Sequence, residues 1–258
     1  MQSITNIATQ INTDPNTLLL SLFFGIIPSF LWLLFWLRED KEDPEPRGLI
    51  FLTFLSGMLA VILVLPIQRF INNIFYDENT LLILWVASEE FLKLVAVFAV
   101  AISVRHIKKP VGFPIYFMAG GLGFAALENA LFLAYPIGIN DPTVGLLTGN
   151  LRFLGATLLH SVASGMMGLM LGLAFFQNKF IKIIALLFGL FIAIALHTAF
   201  NFFIMKSAGG EVLKVFGFLW VVTIISMLVF EKLRRMSESL YMKNVVIHGP
   251  VNELLLRR

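Results

Sequence analysis

The sequence predicts an all-α fold, a polytopic membrane bundle of about seven transmembrane helices. Hydrophobic residues make up 58% of the 258 residues and charged residues only 14%, whereas a soluble domain carries roughly 25% charged residues. The apolar residues form long runs without the strict alternation of barrel strands. This composition excludes an ordinary soluble enzyme, a disordered chain and a nucleic-acid-binding protein. The absence of cysteine excludes disulfides, thiolate catalysis and cysteine-ligated metal.

Seven apolar runs reach the length of about 20 residues that a helix needs to cross the hydrocarbon core. In chain order the predicted spans are 18–37, 49–68, 81–104, 115–135, 151–177, 183–203 and 213–230. The polar segment 1–17 has no Lys or Arg, so it lacks the basic start of a cleavable signal peptide. Breaks rich in charged residues or Pro, such as 40–46, 108–114 and 136–142, separate the spans. The chain thus divides into an external N-terminus 1–17, a membrane-embedded domain 18–230 and a basic cytoplasmic tail 231–258.

The distribution of basic residues predicts the orientation of the bundle. With the N-terminus outside, fourteen Lys and Arg fall in cytoplasmic segments and four in external ones. Cytoplasmic segments of membrane proteins carry the excess of basic residues. The predicted topology is therefore N-out and C-in.

Besides Arg152 and Lys214 at the edges of spans, six ionisable side chains lie inside the predicted spans. They are Glu89, Glu90, Lys93, Glu128, His160 and His197. Each charge at the bilayer centre costs on the order of 2.5–3.5 kcal/mol on insertion scales, so such residues are usually functional. Counted along the helices at about 1.5 Å per residue, the Glu and His residues fall in one layer roughly 9–14 Å below the outer face. The sequence therefore predicts a single polar site in the external half of the membrane.

These residue types suit hydrolysis of a peptide bond. Two adjacent buried carboxyl groups repel when both are ionised, so one tends to keep a proton while the other serves as a base for water. Lys93 would hold the charge of the pair. The two histidines, with Asn201 one turn after His197, can donate hydrogen bonds to an oxyanion. Alternatively, Glu128, His160 and His197 can ligate a divalent metal such as Zn²⁺ that activates the water.

Other intramembrane protease mechanisms lack their residues. The predicted spans contain no Asp for an aspartyl mechanism, and the zincin motif His-Glu-x-x-His does not occur. A serine mechanism has one candidate, Ser164 with His197 as its base. The predicted depths of these two residues differ by roughly 10 Å, which argues against that pair.

Four motifs in order on separate spans resemble the PrsW family of intramembrane proteases, within the wider superfamily of CAAX prenyl endopeptidases. They are Glu89-Glu90-Phe-Leu-Lys93, Gly123-Phe124-Ala-Ala-Leu-Glu128-Asn129, the lone His160 and His197-Thr-Ala-Phe-Asn201. The Asp-Pro-Glu-Pro run at 43–46 also resembles a family feature. The similarity covers about residues 18 to 230. Two departures from the CAAX pattern, Glu128 in place of His and Lys93 in place of Arg, favour the PrsW branch.

The resemblance implies a multi-pass protease of the bacterial plasma membrane. Its implied catalytic residues are Glu89, Glu90, Glu128, His160, His197 and Asn201, with Lys93 and Asn129 in support. The implied partners are the lipid bilayer and a single-span membrane protein substrate, such as an anti-sigma factor, cut on its external side. The resemblance leaves a metal-free glutamate mechanism and a metal mechanism both open.

Two alternatives compete with the protease hypothesis. A proton- or cation-coupled transporter would use the carboxylates and histidines as relays, but transporters commonly show internal repeats and a site at the midplane. The sequence shows no such repeat. A non-catalytic membrane scaffold is the other alternative, and the complete set of Glu, His and Asn argues against it.

The predicted topology can be tested by reporter fusions. A reporter placed near Lys108 should be cytoplasmic and one near Asp141 should be external, because the fourth span, 115–135, crosses the membrane between these two positions. An external signal from the loop 105–114 would contradict both the topology and the predicted depth of the site.

Overall fold

A computed structural model describes residues 14–38, 44–102, 107–139, 155–206 and 212–248. These residues form seven helices and contain no strand, which confirms the predicted all-α membrane bundle. The helices are α1 (Pro15–Arg38), α2 (Arg47–Ile74), α3 (Glu78–Val97), α4 (Gly112–Gly138), α5 (Thr157–Leu173), α6 (Lys179–Lys206) and α7 (Val212–His248). A short π-helical segment, Phe98–Ile102, continues α3.

Five of these helices, α1, α2, α4, α6 and α7, are long and apolar enough to cross a membrane. The other two are α3 and α5. Any 18-residue stretch of α3 contains the charged residues Glu89, Glu90 and Lys93, while α5 has only 17 residues. Both helices carry predicted site residues. The two helices that least resemble an ordinary membrane span are therefore among those that form the polar cluster.

Among the described helix ends, the end of the last helix differs most from the predicted spans. The last helix continues 18 residues beyond the predicted end at 230, because Glu231 pairs with Arg234 and Arg235 one turn later, each at 2.7 Å. The apolar run ends at 230, whereas these pairs extend the helix into the polar tail. The predicted start of the fifth span, at 151–154, lies outside the described residues.

Helix α4 lies at the centre of the bundle, and glycines allow its neighbours to approach it closely. A Cβ on Gly57 of α2 would collide with the backbone oxygen of Gly120, and one on Gly123 would collide with the backbone oxygen of Phe54. On another face, a Cβ on Gly121 would lie 2.6 Å from the backbone oxygen of His160 in α5. Small residues at helix contacts allow such packing in membranes. Helices α2 and α5 therefore pack closely against α4, and the α5 contact lies at His160 itself.

The linker before α2 is tied to the start of α4. Glu45, from the Asp-Pro-Glu-Pro run, is buried and accepts a hydrogen bond from the Tyr116 hydroxyl at 2.9 Å. Its other oxygen lies 4.0 Å from the Lys109 ammonium. This contact fixes the end of the bundle opposite the Glu89–Glu90 cluster.

Asp77 caps α3 at the end that is predicted to be external. Its carboxylate accepts hydrogen bonds from the hydroxyl and the backbone amide of Thr80, at 2.7 and 2.8 Å. The Thr80 hydroxyl, followed by the amide, lowers the pKa of Asp77 below its ordinary value. The cap defines where the helix that carries Glu89 and Glu90 begins.

Candidate active site

Helix α3 places an ion pair at the centre of the bundle. Glu90 and Lys93 lie three residues apart, so their side chains share a face of the helix. The Lys93 Nζ is 2.7 Å from Glu90 Oε1, and both side chains are fully buried. The ammonium also lies 4.3 Å from the centre of the Phe124 ring on α4. This pair cancels two charges that would otherwise be isolated in an apolar environment.

The same Glu90 oxygen orients His197 of α6. The His197 Nδ1 lies 2.7 Å from Glu90 Oε1. A carboxylate can only accept, so Nδ1 carries a proton, and in the neutral form of the ring Nε2 has the lone pair. That Nε2 lies 3.8 Å from Glu89 Oε2. His197 therefore presents an acceptor to the second carboxyl group of the pair.

Glu89 differs from Glu90 in being held by a neutral amide instead of an ammonium. Its Oε1 accepts a hydrogen bond from the Gln68 side-chain amide of α2 at 3.0 Å. Its Oε2 is buried and has no hydrogen-bond partner among the residues that the structure describes. A buried carboxylate oxygen without a partner is costly unless water or a cation satisfies it. The site thus has an unsatisfied acceptor that faces His197.

His160 of α5 connects the ion pair to Glu128 of α4. Its Nδ1 lies 2.7 Å from the Lys93 Nζ, and its Nε2 lies 2.9 Å from Glu128 Oε2. An ammonium can only donate, so Nδ1 accepts and Nε2–H donates to the carboxylate. The rings of His160 and His197 meet edge to face with centroids 4.9 Å apart. The predicted ionisable residues therefore form one cluster built from four helices.

The cluster is not centred along its helices. His197 lies nine residues before the end of α6 and eighteen after its start, within 179–206. Glu128 lies ten residues before the end of α4 and sixteen after its start, within 112–138. Both helices run towards the side that the sequence predicts to be external.

The structure places the two predicted asparagines differently. Asn201 lies one turn after His197 on α6 and is half-buried. Asn129 of α4 donates to the Thr157 hydroxyl at 2.8 Å, so it links α4 to α5 one turn before His160. In the described part of the chain the Ser164 hydroxyl has no hydrogen-bond partner, and no Ser–His pair forms.

One group of residues has the spacing of a metal site. Glu89, His160 and His197 each offer one ligand atom, and these atoms lie within 4.8 Å of one another. The free Glu89 Oε2 and the His197 Nε2 suit a divalent cation, and Glu90 supplies the carboxylate–histidine contact that orients metal ligands. Both nitrogens of His160 are engaged, so His160 can join only by releasing Lys93 or Glu128. Glu128, the other ligand expected from the sequence, contacts His160 Nε2.

Sequence analysis did not identify Gln68 as a site residue. Its side chain is 1% exposed and contacts Glu89 directly. The feature of the sequence that could have pointed to Gln68 is an amide side chain at the end of the mainly apolar span 49–68. The prediction considered only ionisable residues and asparagines in named motifs, so this neutral residue was missed.

Comparison with known proteins agrees with this arrangement of residues. The family model described as PrsW family intramembrane metalloprotease matches residues 45–230. The chain belongs to the PrsW family. It is similar to Protease PrsW of Bacillus subtilis (strain 168), with 30% identity over 188 residues that cover 69% of this chain and 79% of the relative. No solved structure matches the chain significantly.

A second PrsW relative shows similar coverage. Protease PrsW of Halalkalibacterium halodurans is 27% identical over 184 residues, which cover 69% of this chain and 80% of the relative. This chain is thus an intramembrane protease in a multi-pass membrane bundle, as the four motifs predict. The family assignment decides against the transporter and scaffold alternatives.

The different contacts of the two glutamates predict different effects on stability. Glu90→Gln removes the charge that Lys93 and His197 both contact, and removing one partner of a buried ion pair typically costs about 3–5 kcal/mol. We expect a clear loss of thermal stability in detergent for Glu90→Gln and little change for Glu89→Gln. Glu78→Gln, at the exposed start of the same helix, is the control. Equal stability of Glu89→Gln and Glu90→Gln would contradict the assignment of Glu90 to the ion pair.

Proposed function

We propose that this PrsW protease cuts a single-span membrane protein near the external membrane face, with Glu89 as the base that activates water. The observation that carries the proposal is the asymmetry of the glutamate pair. Glu90 Oε1 pairs with Lys93 and His197, whereas Glu89 is held by the neutral Gln68 amide and its unpartnered Oε2 faces the His197 ring. A general base needs an oxygen that can reach the attacking water, and Glu89 offers one beside a second acceptor, His197 Nε2, that can help to hold that water.

The space between Glu89 and His197 suits a water molecule. Their acceptor atoms, Oε2 and Nε2, are 3.8 Å apart. A water can lie about 2.8 Å from each, at ordinary hydrogen-bond distance. Such a water would donate one hydrogen to Glu89 and the other to His197, which leaves its lone pair for the scissile carbonyl. The arrangement orients the nucleophile before the substrate arrives.

The proton transfers follow from these positions. Glu89 takes a proton from the water as the water oxygen attacks the carbonyl carbon. The carbonyl oxygen then becomes an oxyanion. The amide of Asn201, one turn from His197, donates a hydrogen bond to that oxyanion. The carbon–nitrogen bond then breaks, and the proton held by Glu89 passes to the leaving amine. Glu89 returns to its starting state and the product carboxyl group contains the oxygen of the water.

The other ionisable groups hold this arrangement in place. Glu90 keeps His197 turned so that Nε2 faces Glu89, and Lys93 neutralises Glu90. Glu128 and Lys93 together fix the ring of His160 beside His197. A divalent ion bound by Glu89 and His197, with His160 as third ligand, would supply a more acidic water at the same place.

Substrate geometry follows from the buried position of the site. A helical substrate hides its carbonyls in backbone hydrogen bonds, so the cut segment must be extended or easily unwound. The predicted external half of the membrane favours the external juxtamembrane segment of a single-span protein. This is site-1-type cleavage, and an anti-sigma factor with one membrane span is a substrate of that class.

Co-expression with single-span membrane proteins, anti-sigma factors among them, tests the proposal. Wild type should release an external fragment, Glu89→Gln should release none, and Glu78→Gln should match wild type. Asn201→Ala should slow turnover by roughly 10²–10³-fold, the usual cost of one oxyanion donor. Mass spectrometry of the fragment locates the cut, and a terminus in the cytoplasmic half of the substrate would refute external cleavage.

Metal dependence is tested separately by elemental analysis after equilibration with Zn²⁺. The free atoms belong to Glu89 and His197, so Glu89→Gln and His197→Ala should lower the bound Zn²⁺ and Glu78→Gln should not. Wild-type Zn²⁺ content no higher than that of Glu89→Gln and His197→Ala would indicate that the site works without a metal.

A further inference from the structure

Gln68 of α2 is a buried polar residue whose position is explained by one contact. Its side chain is 1% exposed, and burying an amide costs free energy unless hydrogen bonds compensate. The Gln68 Nε2 donates to Glu89 Oε1 at 3.0 Å. Among the described residues, Gln68 is the one hydrogen-bond donor to this carboxyl group.

The contact determines which oxygen of Glu89 is free. The Lys93 ammonium is engaged by Glu90 and His160, each at 2.7 Å. With Oε1 held by Gln68, Oε2 is turned towards His197 Nε2. Without Gln68 the carboxyl group could rotate about its terminal bond, a torsion with broad preferences.

Gln68 and the two glutamates have buried oxygens that require further hydrogen-bond donors. Gln68, Glu89 and Glu90 each have one buried oxygen without a hydrogen-bond partner in the described ranges, namely Gln68 Oε1, Glu89 Oε2 and Glu90 Oε2. An ionised carboxylate and an amide carbonyl can only accept, so these oxygens cannot satisfy one another. Water molecules are the donors that fit such a polar, buried group. The free oxygen of Glu89 is thus suited to accept a hydrogen bond from water.

We propose that Gln68 is a positioning residue that fixes the Glu89 carboxyl group so that Oε2 meets the attacking water. This role rests on the proposed use of Glu89 as the base. Gln68 does not touch the substrate in this scheme and acts through Glu89 alone. Its neutral amide orients the carboxyl group without the competing charge that a Lys or Arg would introduce.

Gln68→Leu tests the proposal, with Asn72→Leu as a matched control. Asn72 lies one turn later on α2 and also contacts α3, where its side chain accepts from the Trp85 indole at 2.7 Å. Both variants replace an amide with Leu, but only Gln68 touches Glu89. We expect Gln68→Leu to lower kcat by roughly 10–100-fold, as when a partner that orients a site residue is lost. KM should change little, and Asn72→Leu should keep the wild-type kcat.

A spectroscopic measurement separates this role from the proposed function. The infrared band of the Glu89 carboxyl group can be assigned because it is absent from the spectrum of Glu89→Gln. It should shift in Gln68→Leu and stay in place in Asn72→Leu, whether or not a substrate has been found. A shifted band in Gln68→Leu together with normal cleavage by Glu89→Gln would confirm the contact and refute the use of Glu89 as the base.

Three results would overturn the positioning role. They are an unshifted band in Gln68→Leu, an unchanged kcat in that variant, or an equal loss in Asn72→Leu. Gln68→Asn keeps a polar residue in α2 but has a shorter side chain, so it should reproduce both effects if Gln68→Leu does not fold. Adding Gln68→Leu to Glu89→Gln should cause no further loss of activity, because residues that act as a unit are not additive.

Discussion

The buried ion pair between Lys93 and Glu90 is the interaction on which the rest of the site depends. An unpaired charge in an apolar interior is costly, and further hydrogen bonds to a buried pair help to offset its desolvation. Here the Glu90 oxygen also receives the His197 Nδ1–H, and the Lys93 ammonium also donates to His160. The requirement to satisfy this pair thus sets the orientation of both histidines.

The same requirement makes the two adjacent glutamates unequal. One carboxylate is used to neutralise a cation, and the other is held by a neutral amide with its second oxygen facing His197. Neighbouring carboxyl groups with different environments can take different roles in hydrolysis. The difference arises from contacts with α2 and α6, since Glu89 and Glu90 are chemically identical in the sequence.

Close packing around α4 makes this network possible. Hydrogen bonds of 2.7–3.0 Å between side chains on different helices leave little tolerance in helix spacing. The glycine contacts of α4 with α2 and α5 allow these backbones to approach closely. In the absence of a hydrophobic driving force between helices in lipid, such van der Waals contacts and interhelical hydrogen bonds stabilise the bundle. The packing and the polar site therefore support one another.

The sequence by itself determined the membrane location, the helical class and most of the residues in the cluster. Apolar runs of sufficient length require a membrane, and ionisable residues inside them are rare enough to mark a site. The sequence could not determine which carboxylate pairs with Lys93, because Glu89 and Glu90 are both within helical reach of it. It also gave no reason to place Gln68 against Glu89, which lies 21 residues later in the chain. Only the tertiary structure decided these contacts, because hydrogen bonds between helices depend on how the helices rotate and pack, and periodicity along one helix does not specify that.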